Sequence, residues 1–242
     1  MMATYVLLHG ACHDGSAFDR VVERLRQQGH TAFAPTIAGH GKDVDKGVTH
    51  AESTQSVVDF ITQHDLTDFV LLGHSYGGTI IAKVSEVVPE RVRRLVFFSA
   101  LVPNDGETML EMFPPDHRDM FRRLAAASTD NTVTLPFDVF REVFINDADL
   151  ETARRVYSQL SSEPFGQLLE RLDLKRFHGL DIPRSFLIGT EDTVMPPGEW
   201  GWHPRLSSRL GLYRLVQMPG SHELMFSNPV GLAHKIVEAG RD

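Results

Sequence analysis

Leu71-Leu72-Gly73-His74-Ser75-Tyr76-Gly77-Gly78 lies between an apolar run at residues 69–72 and a run of helical character at residues 79–88. The G-x-S-x-G pattern within it is that of a strand ending in a sharp bend, which lifts a serine hydroxyl out of the sheet and leads straight into a helix. Gly73 and Gly77 suit such a bend because it brings strand and helix backbones so close that a Cβ at either position would clash. Five positions with three small residues also recur in ordinary turns. The strand before the pattern and the helix after it supply the context that makes Ser75 a candidate nucleophile.

The same alternation extends in both directions. Upstream, Thr4-Tyr5-Val6-Leu7-Leu8-His9 is a continuous β-prone apolar run closed by Gly10, as expected of a strand buried on both faces in a parallel sheet. Residues 17–28 carry Phe18, Val21, Val22 and Leu25 at helical spacing, and Gly29 stops that helix. A short strand is predicted over residues 30–35. A Gly- and charge-rich loop follows, then a helix over 53–64, the strand 69–72, a helix over 79–88 ended by Pro89, and a strand over 94–99. This rhythm predicts a doubly wound parallel sheet.

After Pro103 the rhythm breaks. Residues 104–183 contain no comparable strand run; helical segments at 120–127, 150–160 and 165–172 indicate an insertion over the sheet. Strands resume at 185–189 and 213–218, and a last helix covers 229–239, for six sheet strands in all. The expected organisation is a core formed by 1–103 and 184–242, with a mainly helical cap formed by 104–183.

Composition limits the function classes. With 42% hydrophobic and 23% charged residues over 242 positions, the chain has the proportions of a soluble globular protein rather than a disordered one. A net charge of −8 without a basic cluster offers no electrostatic footprint for nucleic acid or an anionic membrane. Cys12 is the single cysteine, so an intrachain disulfide is excluded and a reducing, cytoplasmic setting is expected. The first residues lack a basic region and a long apolar stretch, so neither a signal peptide nor a membrane span is expected. The pattern does not specify an oligomeric state.

A serine hydroxyl needs a base to take its proton, and the base needs a third group to hold its tautomer. In strand–turn–helix sites of this kind the acid follows a late strand and the histidine follows the last. Asp192, in Gly189-Thr190-Glu191-Asp192, and His222, in Pro219-Gly220-Ser221-His222, occupy those places, with Glu191 as the rival acid. Both strand ends fall on the carboxyl edge of the sheet, where the groups of open α/β sheets collect. The oxyanion donors are expected to be the backbone N–H groups of Tyr76, directly after the serine, and Ala11, in the loop after the first strand, with Gly10 clearing space beside it. His9, His13 and His74 lack the paired spacing of a metal site, so packing is the simpler role for His9 and His74. Gly39-His40-Gly41-Lys42 lacks the spacing and following helix of a phosphate loop. No cofactor is expected.

These residues resemble the α/β-hydrolase superfamily, within it the capped branch of plant methylesterases, hydroxynitrile lyases and related bacterial esterases. The resemblance rests on Val6-Leu7-Leu8-His9-Gly10-Ala11-Cys12-His13, Gly73-His74-Ser75-Tyr76-Gly77-Gly78, Phe144-Ile145-Asn146-Asp147, Glu191-Asp192, and Gly220-Ser221-His222 with Ser227-Asn228-Pro229. It implies a Ser75, Asp192 and His222 triad, oxyanion donors Ala11 and Tyr76, and a helical cap over an apolar pocket. The lyases of the branch carry threonine at position 10 and lysine after the histidine; here stand Gly10 and Glu223, and a carboxylate at 223 would repel cyanide. The esterases usually carry aspartate where this chain has Ser221.

The expected function is hydrolysis of a carboxylic ester, small to medium and apolar, with water as co-substrate. A lactonase or carbon–carbon hydrolase could use the same triad, and a non-catalytic ligand receptor is the alternative of another class. Gly10, Met109, Phe113, Phe121, Phe140 and Phe144 are the candidate substrate contacts. Met112, Phe137 and Phe165 are further possible lining residues, and at least half of this apolar set is expected only to pack the cap onto the sheet. Trp200 and Trp202 are expected to border the pocket or cover the sheet edge.

Overall fold

A computed structural model describes residues 2–241. Met1 and Asp242, the outer ends of the two expected core parts, lie outside the described residues. In chain order the strands are β1 (Thr4–Leu8), β2 (Thr31–Phe33), β3 (Phe69–His74), β4 (Val92–Phe98), β5 (Thr132–Val133), β6 (Glu163–Pro164), β7 (Arg184–Gly189) and β8 (Arg214–Met218). Six form one parallel sheet in the order β2-β1-β3-β4-β7-β8. β5 and β6 pair antiparallel on their own, a short two-stranded ladder within the cap that the sequence reading did not anticipate. Two residues per strand are too few for an apolar alternation to register.

The helices are α1 (Asp19–Gln27), α2 (His50–Gln63), α3 (Gly77–Val87), α4 (Pro115–Ala127), α5 (Phe137–Val139), α6 (Leu150–Tyr157), α7 (Phe165–Leu169), α8 (Leu224–Ser227) and α9 (Pro229–Ala239). Among the described residues none is long and apolar enough to cross a membrane. α4 to α7 and the β5–β6 pair lie between β4 and β7, forming the cap.

Each central strand is apolar on both sides because each side has a helical layer. Tyr5 and Leu7 of β1 join Val70, Leu72, Val96 and Phe98 against α1 and α9 through Val21, Leu25, Leu232 and Ile236. Val6 and Leu8 join Phe69, Leu71, Leu95 and Phe97 against α2 and α3 through Val57, Ile61, Ile80 and Val84. Successive side chains of a strand point to opposite faces, so two covered faces demand an unbroken apolar run, as read from the sequence.

The element ends differ from expectation for local reasons. α2 begins at His50 rather than 53 because Thr49 and Glu52 form a reciprocal capping box. β3 continues through Gly73 and His74, which pair with Phe97 and Phe98 of β4. α3 starts at Gly77, so its first turn is made of the glycines of the bend. In register, Leu8 pairs with Gly73, Gly73 with Phe97, Phe98 with Leu187, and Gly189 with Met218. The loops after β1, β3, β7 and β8 therefore emerge along one carboxyl edge.

Candidate active site

The bend after β3 is built by close approach. A Cβ on Gly73 would lie 2.3 Å from Gly77 O, one on Gly77 2.8 Å from His9 O, and one on Gly78 2.3 Å from Leu101 O. Ser75, between them, has φ +51°, a region a β-carbon disfavours by about 1–3 kcal/mol. Three backbone bonds hold it there: Ser75 N–H donates to Phe98 O at 3.2 Å, and Ser75 O accepts from Gly78 and Leu101 N–H, both at 3.1 Å. The neighbours of the bend thus set where the Ser75 hydroxyl stands.

His222 lies on the wall of the same cavity as Ser75 and is 1% exposed. Its Nδ1 lies 2.7 Å from Asp192 Oδ2, while Asp192 Oδ1 accepts from Val194 N–H at 3.0 Å. A carboxylate on Nδ1 keeps the ring proton there and leaves Nε2 with its lone pair, the tautomer a base requires. Burial pulls the His222 pKa down, but the charge and hydrogen bond of Asp192, aided by Glu223, outweigh it and leave it above the ordinary imidazole value. The ring is clamped by Trp202, stacked at 5.5 Å and 12°, and by the edge contact of Phe144 at 5.6 Å. The His222 carbonyl accepts from His74 Nε2 at 3.1 Å. Glu191 is exposed and, among the described residues, hydrogen-bonds the neighbouring loops only through its backbone, so the structure brings Asp192 to His222 and not its rival.

The loop after β1 is fixed from beneath. Ile37 N–H donates to His9 Nε2 at 3.1 Å, which puts the His9 proton on Nδ1, and Nδ1 donates to Gly10 O at 2.9 Å. Pinning that carbonyl fixes the plane of the Gly10–Ala11 peptide, with the Ala11 N–H on its opposite edge. The hydrogen bonds among the described residues leave the Ala11 and Tyr76 N–H groups without an acceptor. A Cβ on Gly10 would lie 2.8 Å from His74 Nδ1 and 3.0 Å from Ser75 Cβ, so the close approach that excludes a side chain is to the bend itself. His9 and His74 are both driven well below the ordinary imidazole range, chiefly by burial and then by neighbouring histidines. Among the described residues no three His, Cys, Asp or Glu side chains are grouped to hold a metal ion.

Gly10, Met109, Phe113, Phe121, Phe140 and Phe144 all line the cavity with Ala11, Ser75, Tyr76 and His222. Met112 and Phe165 are buried in the core without lining it, and Phe137 packs edge-on against Tyr157 at 5.2 Å. Fewer than half of the apolar cap set therefore serve packing alone, against expectation, because the cap presents its aromatic faces inward over the bend. Neither tryptophan lines the cavity: Trp202 backs His222, and Trp200 lies under the Arg118 and Arg205 guanidiniums at 5.4 and 4.6 Å.

Sequence reasoning missed the polar residues that tie cap to core. Glu163 of the cap, 2% exposed, accepts from Cys12 N–H at 2.8 Å and pairs with His40 Nε2 at 3.2 Å. Burial opposes charge on His40, yet the Glu163 charge and hydrogen bond, with the Ala38 carbonyl, raise its pKa. Gln167 accepts from the Tyr76 hydroxyl, and its Nε2 donates to Ser53 Oγ at 3.0 Å. Asn146 Nδ2 donates to Glu191 O at 3.2 Å, and Asp147 Oδ2 accepts from Ser221 N–H at 3.0 Å and Ser227 Oγ at 2.7 Å. The Asn146-Asp147 pair clips the loops of Asp192 and His222 to the cap. Only the resemblance of residues 144–147 to other capped chains signalled it.

The fold and the convergence at its edge define a class: α/β proteins that hold a bend serine and a carboxylate-oriented histidine together at the carboxyl ends of a parallel sheet. The chain belongs to the alpha/beta hydrolase family, whose model matches residues 5–235. The carbendazim hydrolyzing esterase of Nocardioides sp. (strain SG-4G) is 34% identical over 247 residues, covering 99% of this chain and 100% of that protein. Methylesterase 1 of Arabidopsis thaliana is 31% identical over 222 residues, covering 82% of this chain and 81% of the relative. A solved extracellular α/β-hydrolase from a Paenibacillus species, described as sharing structural and functional homology with tobacco salicylic acid binding protein 2, superposes with a TM-score of 0.97. That protein is 46% identical, with 99% of this chain and 100% of that chain covered. The Nocardioides and Arabidopsis relatives are named esterases, which supports ester hydrolysis.

Proposed function

We propose that the protein is a serine hydrolase that cleaves a carboxylic ester of small to medium, mainly apolar substrates through an acyl-enzyme on Ser75. The observation that carries this reading is the His222 imidazole, oriented by Asp192 at 2.7 Å on the wall of a cavity that also contains Ser75. His222 Nε2 takes the Ser75 proton as Oγ attacks the ester carbonyl, and Asp192 stabilises the resulting imidazolium. The Ala11 and Tyr76 N–H groups receive the oxyanion, His222 returns the proton to the leaving alcohol, and water repeats the sequence to release the acid. The cap aromatics exclude water and hold the apolar body of the substrate.

A fluorophosphonate probe tests the nucleophile: it labels Ser75 in the folded protein, and absence of label overturns the hydrolase reading in favour of a ligand receptor. Ser75→Ala abolishes p-nitrophenyl acetate turnover with a nearly unchanged Tm; retained turnover would move the nucleophile elsewhere. Parallel panels of methyl esters, aryl esters and lactones separate esterase from lactonase. The cytoplasmic setting expected from the single Cys12 stands beside a Paenibacillus relative described as extracellular, and fractionation of expressing cells distinguishes the two.

A further inference from the structure

Two buried carboxylates, Glu163 and Glu223, lie on the cavity wall and neither gives nor takes a proton in the proposed acyl transfer, although the Glu223 charge helps raise the His222 pKa. Their satisfaction differs. Glu163 has a donor on each oxygen, Cys12 N–H on Oε2 and His40 Nε2 on Oε1. Glu223, directly after His222 and 1% exposed, meets one donor group, the His13 imidazole, with Nε2 at 3.2 Å from Oε1 and 3.1 Å from Oε2. A single N–H lies between the two oxygens, and among the described residues Oε2 has no aligned hydrogen bond. A carboxylate offers roughly four acceptor positions, and a buried one left unmet is destabilising.

Besides Ser75 and His222 of the proposed mechanism, the other open acceptor on the wall is His74 Nδ1, which has no partner among the described residues and lies against Gly10 beneath the bend. Met109, Phe113, Phe121 and Phe144 are apolar, and both Glu163 oxygens are engaged. A hydroxyl or N–H on the molecule occupying the cavity finds its partner at Glu223. A site built around a buried acceptor also disfavours an analogue lacking the donor, since that analogue leaves the acceptor unpaired.

We infer that Glu223, held by His13, is a specificity-determining residue that accepts a hydrogen bond from a hydroxyl or N–H on an otherwise apolar ester substrate. The inference rests on the esterase reading of Ser75 and narrows its substrate class: the favoured esters carry one donor group on the apolar body.

The test measures binding so that turnover is not required. Titration calorimetry on Ser75→Ala protein compares methyl 3-arylpropanoates whose ring bears hydroxyl, amino or methyl at the ortho, meta or para position. These three substituents are close in size, and methyl is the most hydrophobic. At one position or more, the hydroxyl or amino ester binds about tenfold or more tightly than the methyl ester, the range of a hydrogen bond to a charged acceptor. The preference falls to within about twofold when Glu223→Met is added. Equal affinities at every position, or a preference that survives Glu223→Met, overturn the inference. If Glu223→Met does not fold, Glu223→Gln keeps the shape and removes the charge; it should cut the ratio by about threefold or more, and an unchanged ratio overturns the inference equally. Turnover of the same esters by the Ser75 protein tests the esterase reading separately. Donor-dependent binding without turnover refutes that reading alone, and turnover without donor preference refutes the role of Glu223 alone.

Discussion

Replacing the Asp192 carboxylate by a carboxamide changes one atom in the described site and reverses the proton on His222. Asp192 Oδ1 accepts from Val194 N–H at 3.0 Å, and Oδ2 faces His222 Nδ1 at 2.7 Å. In Asp192→Asn the Val194 amide retains the oxygen, which turns the NH2 toward His222. Nδ1 must then accept, the ring proton moves to Nε2, and the lone pair proposed to take the Ser75 proton is gone. Loss of the correct tautomer and of the stabilising charge costs roughly 10³–10⁴-fold in kcat/KM, or about 4–5.5 kcal/mol of transition-state stabilisation. Both hydrogen bonds survive, so Tm should move by only a few degrees. The assay is kcat/KM for p-nitrophenyl acetate across the neutral range and well to either side, beside Glu191→Gln. On the proposed mechanism, His222 of the parent protein serves as a base only above a pKa raised over the ordinary imidazole value. Removing the Asp192 charge leaves burial dominant, so the rising limb moves to lower pH as its height collapses. Activity of Asp192→Asn within about tenfold of the parent, or an equal loss in Glu191→Gln, would refute the reasoning.

His50, on α2, is held to a pKa of about 4 by burial, with Lys83 adding to the effect, and its Nε2 lies 3.0 Å from Thr79 Oγ1. A folded pKa below the unfolded value means that its contribution is complete above about pH 6.5 and is lost as pH falls toward about 4. The slope is about 1.4 kcal/mol per pH unit and the total about 3 kcal/mol. Chemical denaturation of the parent and His50→Gln from neutral pH down through that window should therefore give a shallower acid slope for the variant, and parallel slopes contradict the assignment. Asp147→Ala cuts the clip between the cap and the His222 loop, removing the acceptor of Ser221 N–H and Ser227 Oγ. We expect kcat to fall about tenfold with KM little changed and partial recovery in Asp147→Asn; unchanged kcat shows that the clip does not position His222.

The core was legible in the sequence because parallel strands covered on both faces must be apolar throughout. Residues 4–8, 69–72 and 186–188, the apolar middle of the strand read at 185–189, therefore carried their own evidence, as did the helices stopped by Gly29 and Pro89. The members brought to the site from the core were legible for a related reason: Ser75, Asp192, His222 and Ala11 each follow a strand, and a parallel sheet delivers every strand end to one edge. What only the tertiary structure decided is side-chain pairing across long separations. Asp192 and Glu191 are adjacent carboxylates in one loop, and only the three-dimensional turn shows that the first faces His222 while the second faces solvent. The partners Glu163 to Cys12 and His40, Asp147 to Ser221, and Glu223 to His13 join residues far apart in the chain. Hydrogen bonding depends on where two backbones meet and not on any periodicity in either. Periodicity marks which faces are buried, whereas the polar contacts that aim His222 and shape the cavity exist only once the core loops and the cap meet over the bend at Ser75.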